Sequence, residues 1–223
     1  YKNTKRKVEN VNVECYEYYN EDPLYSEEVL LPFNNKPNMA RMINNICEFE
    51  NRINYISNIL KNIKNKDSKR NILLLSDRRE HLKQLKKNID SLDIGNTGYY
   101  VGGMSDNELK KTEDECDIIL ATFSMAAEGL DLPKLDSVIL CSPKSSIEQS
   151  VGRILRKKME DRIYIPLIID IIDMFSIFIN QSKKRVKFYK KCNYNITYHK
   201  SSKLKNIEKN FSEIKLNGKC LIK

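Results

Sequence analysis

The stretch SSIEQSVGRILRKK, residues 145–158, carries the side chains best suited to chemistry. It holds Gln149, Gly152, Arg153 and Arg156 in the pattern Q-x-x-G-R-x-x-R. Residues three or four apart share one face of a helix, so the glutamine and the two arginines would lie together. Arginine is always charged, and its planar fork of donors fits phosphate oxygens. The spacing therefore predicts a helix that can clamp phosphate.

The glycine of this stretch and its basic end allow two interpretations. Glycine in mid-helix destabilises by about 1 kcal/mol relative to alanine, so Gly152 indicates that another backbone or a phosphate comes close. A solvated basic helix end is the alternative, and for Arg156, Lys157 and Lys158 alone it is the simpler one. Short motifs also recur by chance, so the neighbouring residues must decide.

A second stretch, TFSMAAEGLDLP at residues 122–133, lies just upstream. Together the two stretches resemble motifs V and VI of superfamily 2 helicases. By that resemblance Thr122 would contact the nucleic-acid backbone, Gly129 would pass close to the nucleotide, and Asp131 would accept from a ribose hydroxyl. An isolated aspartate shortly before Pro133 would otherwise be read as a turn or cap residue.

The same resemblance gives the basic stretch a catalytic role. Arg153 and Arg156 would act as arginine fingers that reach the γ-phosphate of ATP held by another domain. Gln149 would position the attacking water or the arginines. Leu155 stands where the commoner G-R-x-G-R form has a second glycine. That departure resembles the XPB- and UvsW-like branch and the poxvirus-type transcript-release helicases, and not the DEAD-box branch.

Further contacts to nucleic acid are expected in the loops that follow strands. Residues 74–82 (LLSDRREHL) resemble helicase motif IV, which would place Ser76 and Arg78 on the strand backbone. In doubly wound sheets, ligands bind outside the carboxyl ends of the strands. Gly103 lies in such a loop, where glycine amides can cradle phosphate.

The chain lacks the other half of a nucleotide site. It contains no G-x-x-x-x-G-K-[ST] sequence. The run DECD, residues 114–117, spells a Walker B motif, but it precedes its apolar strand, whereas a Walker B acid must follow one. By the resemblance, ATP and Mg²⁺ would be held mainly by a missing N-terminal RecA-like domain. We therefore expect this chain alone not to hydrolyse ATP.

Apolar runs that alternate with helical patterns indicate the fold class. Continuous apolar strands imply burial on both faces, as in a mainly parallel sheet covered by helices. We predict an open, doubly wound α/β fold, which by the resemblance is RecA-like helicase domain 2 with a basic C-terminal extension. The predicted strands are residues 8–19, 72–75, 97–101, 117–122, 137–141, 163–169 and, at an edge, 194–198.

The remaining segments complete three predicted regions. Residues 1–67 would hold a linker strand, an insertion loop at 20–37 and one long helix from Asn38 through Ile63, residues 68–198 the RecA-like core, and residues 199–223 a basic tail. We also predict an exposed turn at residues 65–70 and a helix over residues 174–192.

The positive charge is concentrated at one end. The formal net charge is +9, yet residues 181–223 hold 13 lysines and arginines against two glutamates. This uneven distribution of charge favours a polyanionic partner, and nucleic acid is favoured over a membrane surface. The alternative is a lysine-rich tail that is simply solvated. Candidate contacts are Lys183, Lys184, Arg185, Lys190 and Lys191.

The cysteines, histidines and apolar runs of the sequence indicate whether the chain binds metal, in which compartment it lies and whether it spans a membrane. Six cysteines without a C-x-x-C pair, and two histidines, assemble no zinc spacing, so we expect no metal site. Cys15, Cys116 and Cys141 are expected to be buried free thiols in a reducing, intracellular compartment. Asp170 and Asp173 interrupt the longest apolar run, which excludes a membrane span.

The absence of an initiator methionine indicates a piece of a longer protein. The asparagine, lysine and isoleucine usage, with the poxvirus-type resemblance, indicates a viral source and a virion or viral factory.

Our hypothesis is the C-terminal motor domain of an ATP-dependent superfamily 2 DNA or RNA helicase or translocase. Its partners would be single- or double-stranded nucleic acid, an N-terminal RecA-like domain and, as a candidate, the transcription machinery. The rival is a non-catalytic basic module that binds nucleic acid. A third class, another doubly wound phosphoryl-transfer enzyme, would need a complete phosphate site, and we find none in the sequence.

Overall fold

A computed structural model describes residues 10–128, 130, 132–155 and 159–200. Seven strands form one parallel sheet in the order β3-β4-β2-β5-β6-β1-β7. The all-parallel sheet confirms the predicted α/β class. The strands are β1 (Asn12–Tyr18), β2 (Ile72–Ser76), β3 (Thr97–Tyr100), β4 (Ile118–Thr122), β5 (Ser137–Leu140), β6 (Leu167–Asp173) and β7 (Asn195–His199).

Helices cover both faces of this sheet. Side chains of successive strand residues point to opposite faces, so Leu74 packs with α2, α3 and α4, whereas Leu73 and Leu75 pack with α6, α7 and α8. This two-sided burial explains why the strands are continuously apolar. The helices are α1 (Pro23–Ser26), α2 (Met39–Glu48), α3 (Glu50–Lys66), α4 (Arg79–Ser91), α5 (Asp106–Glu115), α6 (Phe123–Glu128), α7 (Glu148–Gly152) and α8 (Phe178–Lys191). None of the helices among the described residues is long and apolar enough to cross a bilayer.

The single long helix expected from Asn38 is two helices. Asn38 begins α2, because its side chain accepts from the Arg41 backbone N–H at 3.2 Å. Phe49 interrupts the helix in an extended conformation (φ −74°, ψ 108°) and its carbonyl starts α3 by accepting from the Arg52 and Ile53 N–H groups. The apolar stripe continues across this break, so periodicity alone could not reveal it.

The sixth predicted strand is displaced along the chain. Residues 163–169 were expected, but β6 begins at Leu167, and Ile163 is 81% exposed. The prediction was wrong because Asp170 and Asp173 were read as polar interruptions. Both carboxylates are buried within the strand.

Each of these carboxylates is paired with a buried arginine. Arg52 of α3 donates to both Asp173 oxygens at 2.7 and 2.9 Å. Arg185 of α8 lies 2.8 Å from Asp170. Because the aspartates are three residues apart in a strand, they point to opposite faces, and each pins one helix layer to β6.

Two smaller expectations also change. The turn at residues 65–70 is not wholly exposed, because Arg70 is 8% exposed and donates to Asp136 and Ser137 at 3.2 and 3.0 Å. The expected loop at residues 20–37 contains the short helix α1 and a bridge between Leu30 and Pro37.

Candidate functional site

The carboxyl ends of β2, β4 and β5 form the candidate site. Parallel strands end at one edge of a sheet, and in an open α/β fold ligands bind there. Ser76 and Thr122 are register partners at the ends of β2 and β4. The loop after β5 enters α7, which carries Gln149, so three of the stretches selected from sequence meet at this edge.

Thr122 stands at this edge with its side chain half-buried. Its Oγ1 accepts from the Met125 N–H at 3.4 Å and lies 3.2 Å from the Oγ of Ser124. Ser124 is exposed, so two adjacent hydroxyls are available to a phosphate oxygen. Sequence reasoning selected Thr122 and missed Ser124, although the T-F-S run in a strand-end loop could have indicated it.

Ser76 does not offer its side chain to a ligand. It is fully buried, its Oγ lies 3.0 Å from His81 Nδ1, and it accepts from the Arg78 N–H at 3.1 Å. This corrects the expectation that the Ser76 hydroxyl contacts nucleic acid. The hydroxyl instead shapes the turn that carries Arg78.

Arg78 lies at the edge, but its guanidinium is held by α2. Its Nε donates to Asn44 Oδ1 at 2.5 Å and its Nη2 to the Ala40 carbonyl at 3.3 Å. The neighbouring Arg79 donates from Nη2 to the Gly102 carbonyl at 2.6 Å. Arg78 is therefore oriented by α2, and Arg79 by the loop after β3.

The loop after β3 contains Gly103 in a left-handed conformation with φ +86°. No atom lies within 4 Å of where a Cβ would stand. A side chain would be strained there because of the backbone and not because of crowding. The turn leaves an open surface at the edge, which suits the predicted contact without testing it.

The stretch with Gln149 and Arg153 is less regular than the single helix that the pattern predicts. The α-helix α7 has five residues, and Arg153–Leu155 continue as a 3₁₀ turn. Gly152 is exposed, with no atom within 4 Å of a Cβ position, so no neighbour in the described part of this chain requires the glycine. Gln149 is exposed beside it.

Arg153 connects this stretch to the one after β4. Its Nη2 donates to the carbonyl of Ala127 near the end of α6. Its Nε is buried and finds no hydrogen-bond partner among the residues that the structure describes. The structure therefore joins the two helicase-like stretches and leaves one guanidinium donor unused. Gly129, Asp131 and Arg156 lie outside the described residues.

The basic helix α8 separates its lysines from its arginine. Arg185 is 3% exposed and bound to Asp170, which corrects the expectation that it contacts nucleic acid. It repeats with Phe178, Ser182 and Tyr189 on the face that packs against the sheet. The exposed lysines of α8 are the predicted Lys183, Lys184, Lys190 and Lys191, together with Lys187.

Two residues at the edge lie in strand-end loops that the sequence indicated, residues 76–79 and 142–146, but neither was selected individually. Lys144, in the loop after β5, places Nζ 3.1 Å from both carboxylate oxygens of Asp77, in the turn after β2. The same turn donates its Asp77 N–H to Ser142 Oγ at 2.9 Å. Both residues stand in strand-end loops, which is the signal that could have selected them.

Metal and thiol chemistry find no support at this edge. No group of three or more metal-ligating side chains occurs within the described residues. The expectation that the chain holds no metal stays a prediction. Burial raises the pKa of both the Cys47 and Cys141 thiols to about 12, so they stay protonated and unreactive. Cys15 and Cys141 are buried free thiols as predicted, whereas Cys116 is half-buried.

The chain is similar to known helicase domains. A model of the helicase conserved C-terminal domain matches residues 51–158. L396 of Acanthamoeba polyphaga mimivirus, named as a candidate ATP-dependent RNA helicase, is 42% identical over 175 residues, which cover 77% of this chain and 33% of L396. The candidate helicase 161L of Invertebrate iridescent virus 6 is 25% identical over 188 residues, which cover 78% of this chain and 41% of 161L. This chain thus spans well under half the length of either relative.

Solved structures share the fold. The phage protein T4 UvsW matches with a TM-score of 0.63 at 19% identity, over 85% of this chain and 41% of that one. The Escherichia coli DEAD-box protein SrmB, crystallised with regulator of ribonuclease activity A, matches with a TM-score of 0.54 at 15% identity, over 89% and 95% of the two chains. These matches show the RecA-like fold of helicase C-terminal domains. The branch within the superfamily stays a prediction.

Proposed function

Because this chain carries the conserved C-terminal domain of a superfamily 2 helicase, we propose that it is the second RecA-like motor domain of an ATP-dependent helicase or translocase. It would supply arginine fingers and half of the nucleic-acid track. An N-terminal RecA-like domain of the same protein would supply the P-loop and hold ATP and Mg²⁺. The observation that supports this proposal most is the packing of α6 against the stretch with Gln149 and Arg153 at the carboxyl edge.

The nucleotide part of the proposal depends on Arg153. A buried guanidinium nitrogen without a partner is costly, which favours a ligand or domain that engages it. The group is always charged and suits a phosphate oxygen. Arg156 would act beside it, Gln149 would orient water or the arginines, and Gly129 and Asp131 would lie near the nucleotide.

The nucleic-acid part depends on the hydroxyls and the open turn of the edge. Thr122 and Ser124 would donate to phosphate oxygens, and the amides near Gly103 would do the same without reading bases. Arg78 and the exposed lysines of α8 would add positive charge. The mimivirus relative is named as an RNA helicase, which supports RNA as the first substrate to test.

The cellular setting follows from the relatives only as a proposal. Both curated relatives are viral, which supports a viral source for this chain. A reducing compartment agrees with the free cysteines among the described residues. Contact with the transcription machinery and work in a viral factory stay predictions.

Binding of single-stranded RNA by this chain distinguishes the motor domain from the rival basic module. Deleting residues 201–223 leaves every described helix and strand in place. We expect the shortened chain to retain binding, and Thr122→Val in that background to weaken it roughly fivefold, as loss of about 1 kcal/mol from one hydrogen bond would. Fluorescence anisotropy with labelled RNA at fixed salt measures both effects.

The matched control is Thr197→Val, on the exposed edge strand β7. That substitution should leave the affinity unchanged, because Thr197 lies away from the ends of β2 and β4. Complete loss of binding on deletion of residues 201–223 would favour the rival, in which a basic tail does all the binding.

A further inference from the structure

Lys144 touches each of the loops that the proposed function requires to communicate. It lies between β5 and α7, and its contacts reach the turn after β2, the start of α6 and the helix α8. We propose that Lys144 is a positioning residue that couples nucleic-acid binding at the strand ends to the arginine-bearing stretch after α7. This inference rests on the proposed motor function.

The first link runs to the turn that carries Arg78. Lys144 Nζ is equidistant, at 3.1 Å, from the two oxygens of Asp77. The N–H of Asp77 is itself bound to Ser142, so the turn after β2 and the loop after β5 are joined twice. A nucleic-acid strand that displaces the turn after β2 would therefore also displace the segment that leads into α7.

The second link runs to the junction of β4 and α6, where Thr122 lies. The Lys144 ammonium lies 5.2 Å from the centre of the Phe123 ring, over its face. Phe123 is buried and directly follows Thr122 in the chain, so its ring moves with that hydroxyl. Cation–π contacts of this length are favourable by about 0.5–1 kcal/mol when exposed.

The third link fixes the other side of the residue. The Lys144 carbonyl accepts from Arg185 Nη1 at 2.6 Å, and Arg185 is buried against Asp170. The backbone at Lys144 is thus anchored to the interior, whereas its side chain extends to the turn after β2 and to the first residue of α6. Gln149 follows only five residues later, with Arg153 beyond it.

A purely stabilising role does not account for this arrangement. The Lys144 and Asp77 side chains are 36% and 25% exposed, and ion pairs with such access to water contribute about 0–1 kcal/mol. The contacts of Lys144 instead join the turn after β2, the start of α6 and α8 at one residue, as a coupling role requires.

The test measures how strongly single-stranded RNA stimulates ATP hydrolysis by the full-length helicase. In Lys144→Met the charge is lost while the length of the side chain is kept. We expect the ratio of stimulated to unstimulated turnover to fall about tenfold, within the range typical of coupling between sites, with unstimulated turnover and the melting temperature unchanged. Lys144→Arg should restore stimulation, because it returns the positive charge.

Two further variants show whether the effect belongs to the junction. Asp77→Asn should reduce stimulation similarly, and combining it with Lys144→Met should add little, since both break one contact. Lys83→Met removes a lysine from an exposed pair with Glu80 and should leave stimulation unchanged.

The outcomes separate the two proposals. Full stimulation in Lys144→Met, or an equal loss in Lys83→Met, would overturn the coupling role alone. Absence of stimulation in the unsubstituted protein would overturn the motor function, and the coupling with it.

Discussion

The imidazole of His81 is buried under the turn that follows β2, with Nδ1 against Ser76 and Nε2 without a hydrogen-bond partner. Burial, and secondarily the charge of Arg52, hold the pKa of His81 well below its usual value. The ring is therefore neutral in the folded chain at physiological pH. Its proton is on one nitrogen only, which allows the contact with the Ser76 hydroxyl that shapes the Arg78 turn.

The neutral state of His81 predicts an acid sensitivity. An unfolded histidine takes up a proton near pH 6.5 while the folded one does not, so stability is full above that pH. As the pH falls from 6.5 towards the lowered folded-state pKa, the unfolding free energy should decline by up to about 1.4 kcal/mol per pH unit for this group. Urea unfolding between pH 7.5 and 5 measures the slope.

The variant His81→Gln isolates this contribution, because the glutamine does not titrate and every other group is kept. Its unfolding free energy should depend less on pH below 6.5 than that of the unsubstituted chain. Equal slopes in the two proteins would contradict the assignment, whatever the difference in absolute stability.

The type of a residue correctly predicted an accessible side chain at the carboxyl edge for some positions. For others the prediction failed, and the reason is physical. Thr122 and Gln149 were selected from sequence and lie at the carboxyl edge with accessible side chains. Ser76 and Arg185 were selected on the same grounds and are buried, because each finds an internal partner far along the chain or across a turn. A sequence shows which side chains can form hydrogen bonds, but it does not show which of them are already bound to another residue of the fold.

At the scale of elements, β6 holds a helix layer on each face of the sheet through two carboxylates, Asp170 and Asp173, that point to opposite faces. Asp173 accepts from Arg52 and also from the hydroxyl of Tyr25 at 2.8 Å, and Asp170 accepts from Arg185 and the hydroxyl of Tyr189 at 3.0 Å. Every one of these side chains is at least 97% buried. Buried charges of this kind are costly unless fully paired, so the four partners fix the register of α3 and α8 on the sheet.

Breaking the Arg52 pair should therefore be strongly destabilising. Arg52→Met leaves the Asp173 carboxylate buried without its charge partner, and we expect a loss of about 3–5 kcal/mol in unfolding free energy. Chemical denaturation followed by circular dichroism measures it. The matched control Lys83→Met breaks an exposed pair and should cost less than about 1 kcal/mol. A small effect of Arg52→Met would show that the pair is not what anchors α3.

The same elements show where periodicity was sufficient. Strands β2 and β4 were predicted within one residue because they are uniformly apolar. The break at Phe49 and the displacement of β6 were not predicted, since the first preserves the apolar stripe and the second depends on arginines more than ten residues away. Ion pairs between residues distant in sequence, and not the local apolar pattern, therefore determine where β6 lies.

At the scale of the whole molecule, the fold was predictable from the sequence, and the proposed motor would be divided between two domains. Alternating apolar strands and helices indicated a parallel α/β sheet, and its carboxyl edge gathers the helicase-like stretches. No P-loop sequence exists in the chain. Under the proposed function, this domain would act with a second domain that holds the nucleotide, and the relatives are two to three times longer than the matched part.

The most direct test of this account is RNA-stimulated ATP turnover by the full-length protein, comparing Arg153→Ala and Arg156→Ala with the exposed control Arg41→Ala. We predict that each arginine-finger variant loses at least about 10³-fold in turnover while RNA binding is retained, and that Arg41→Ala behaves as the unsubstituted protein. Unchanged turnover in both variants, or arginine-dependent hydrolysis by this chain alone, would contradict the division of labour and leave residues 145–158 as a basic helix end.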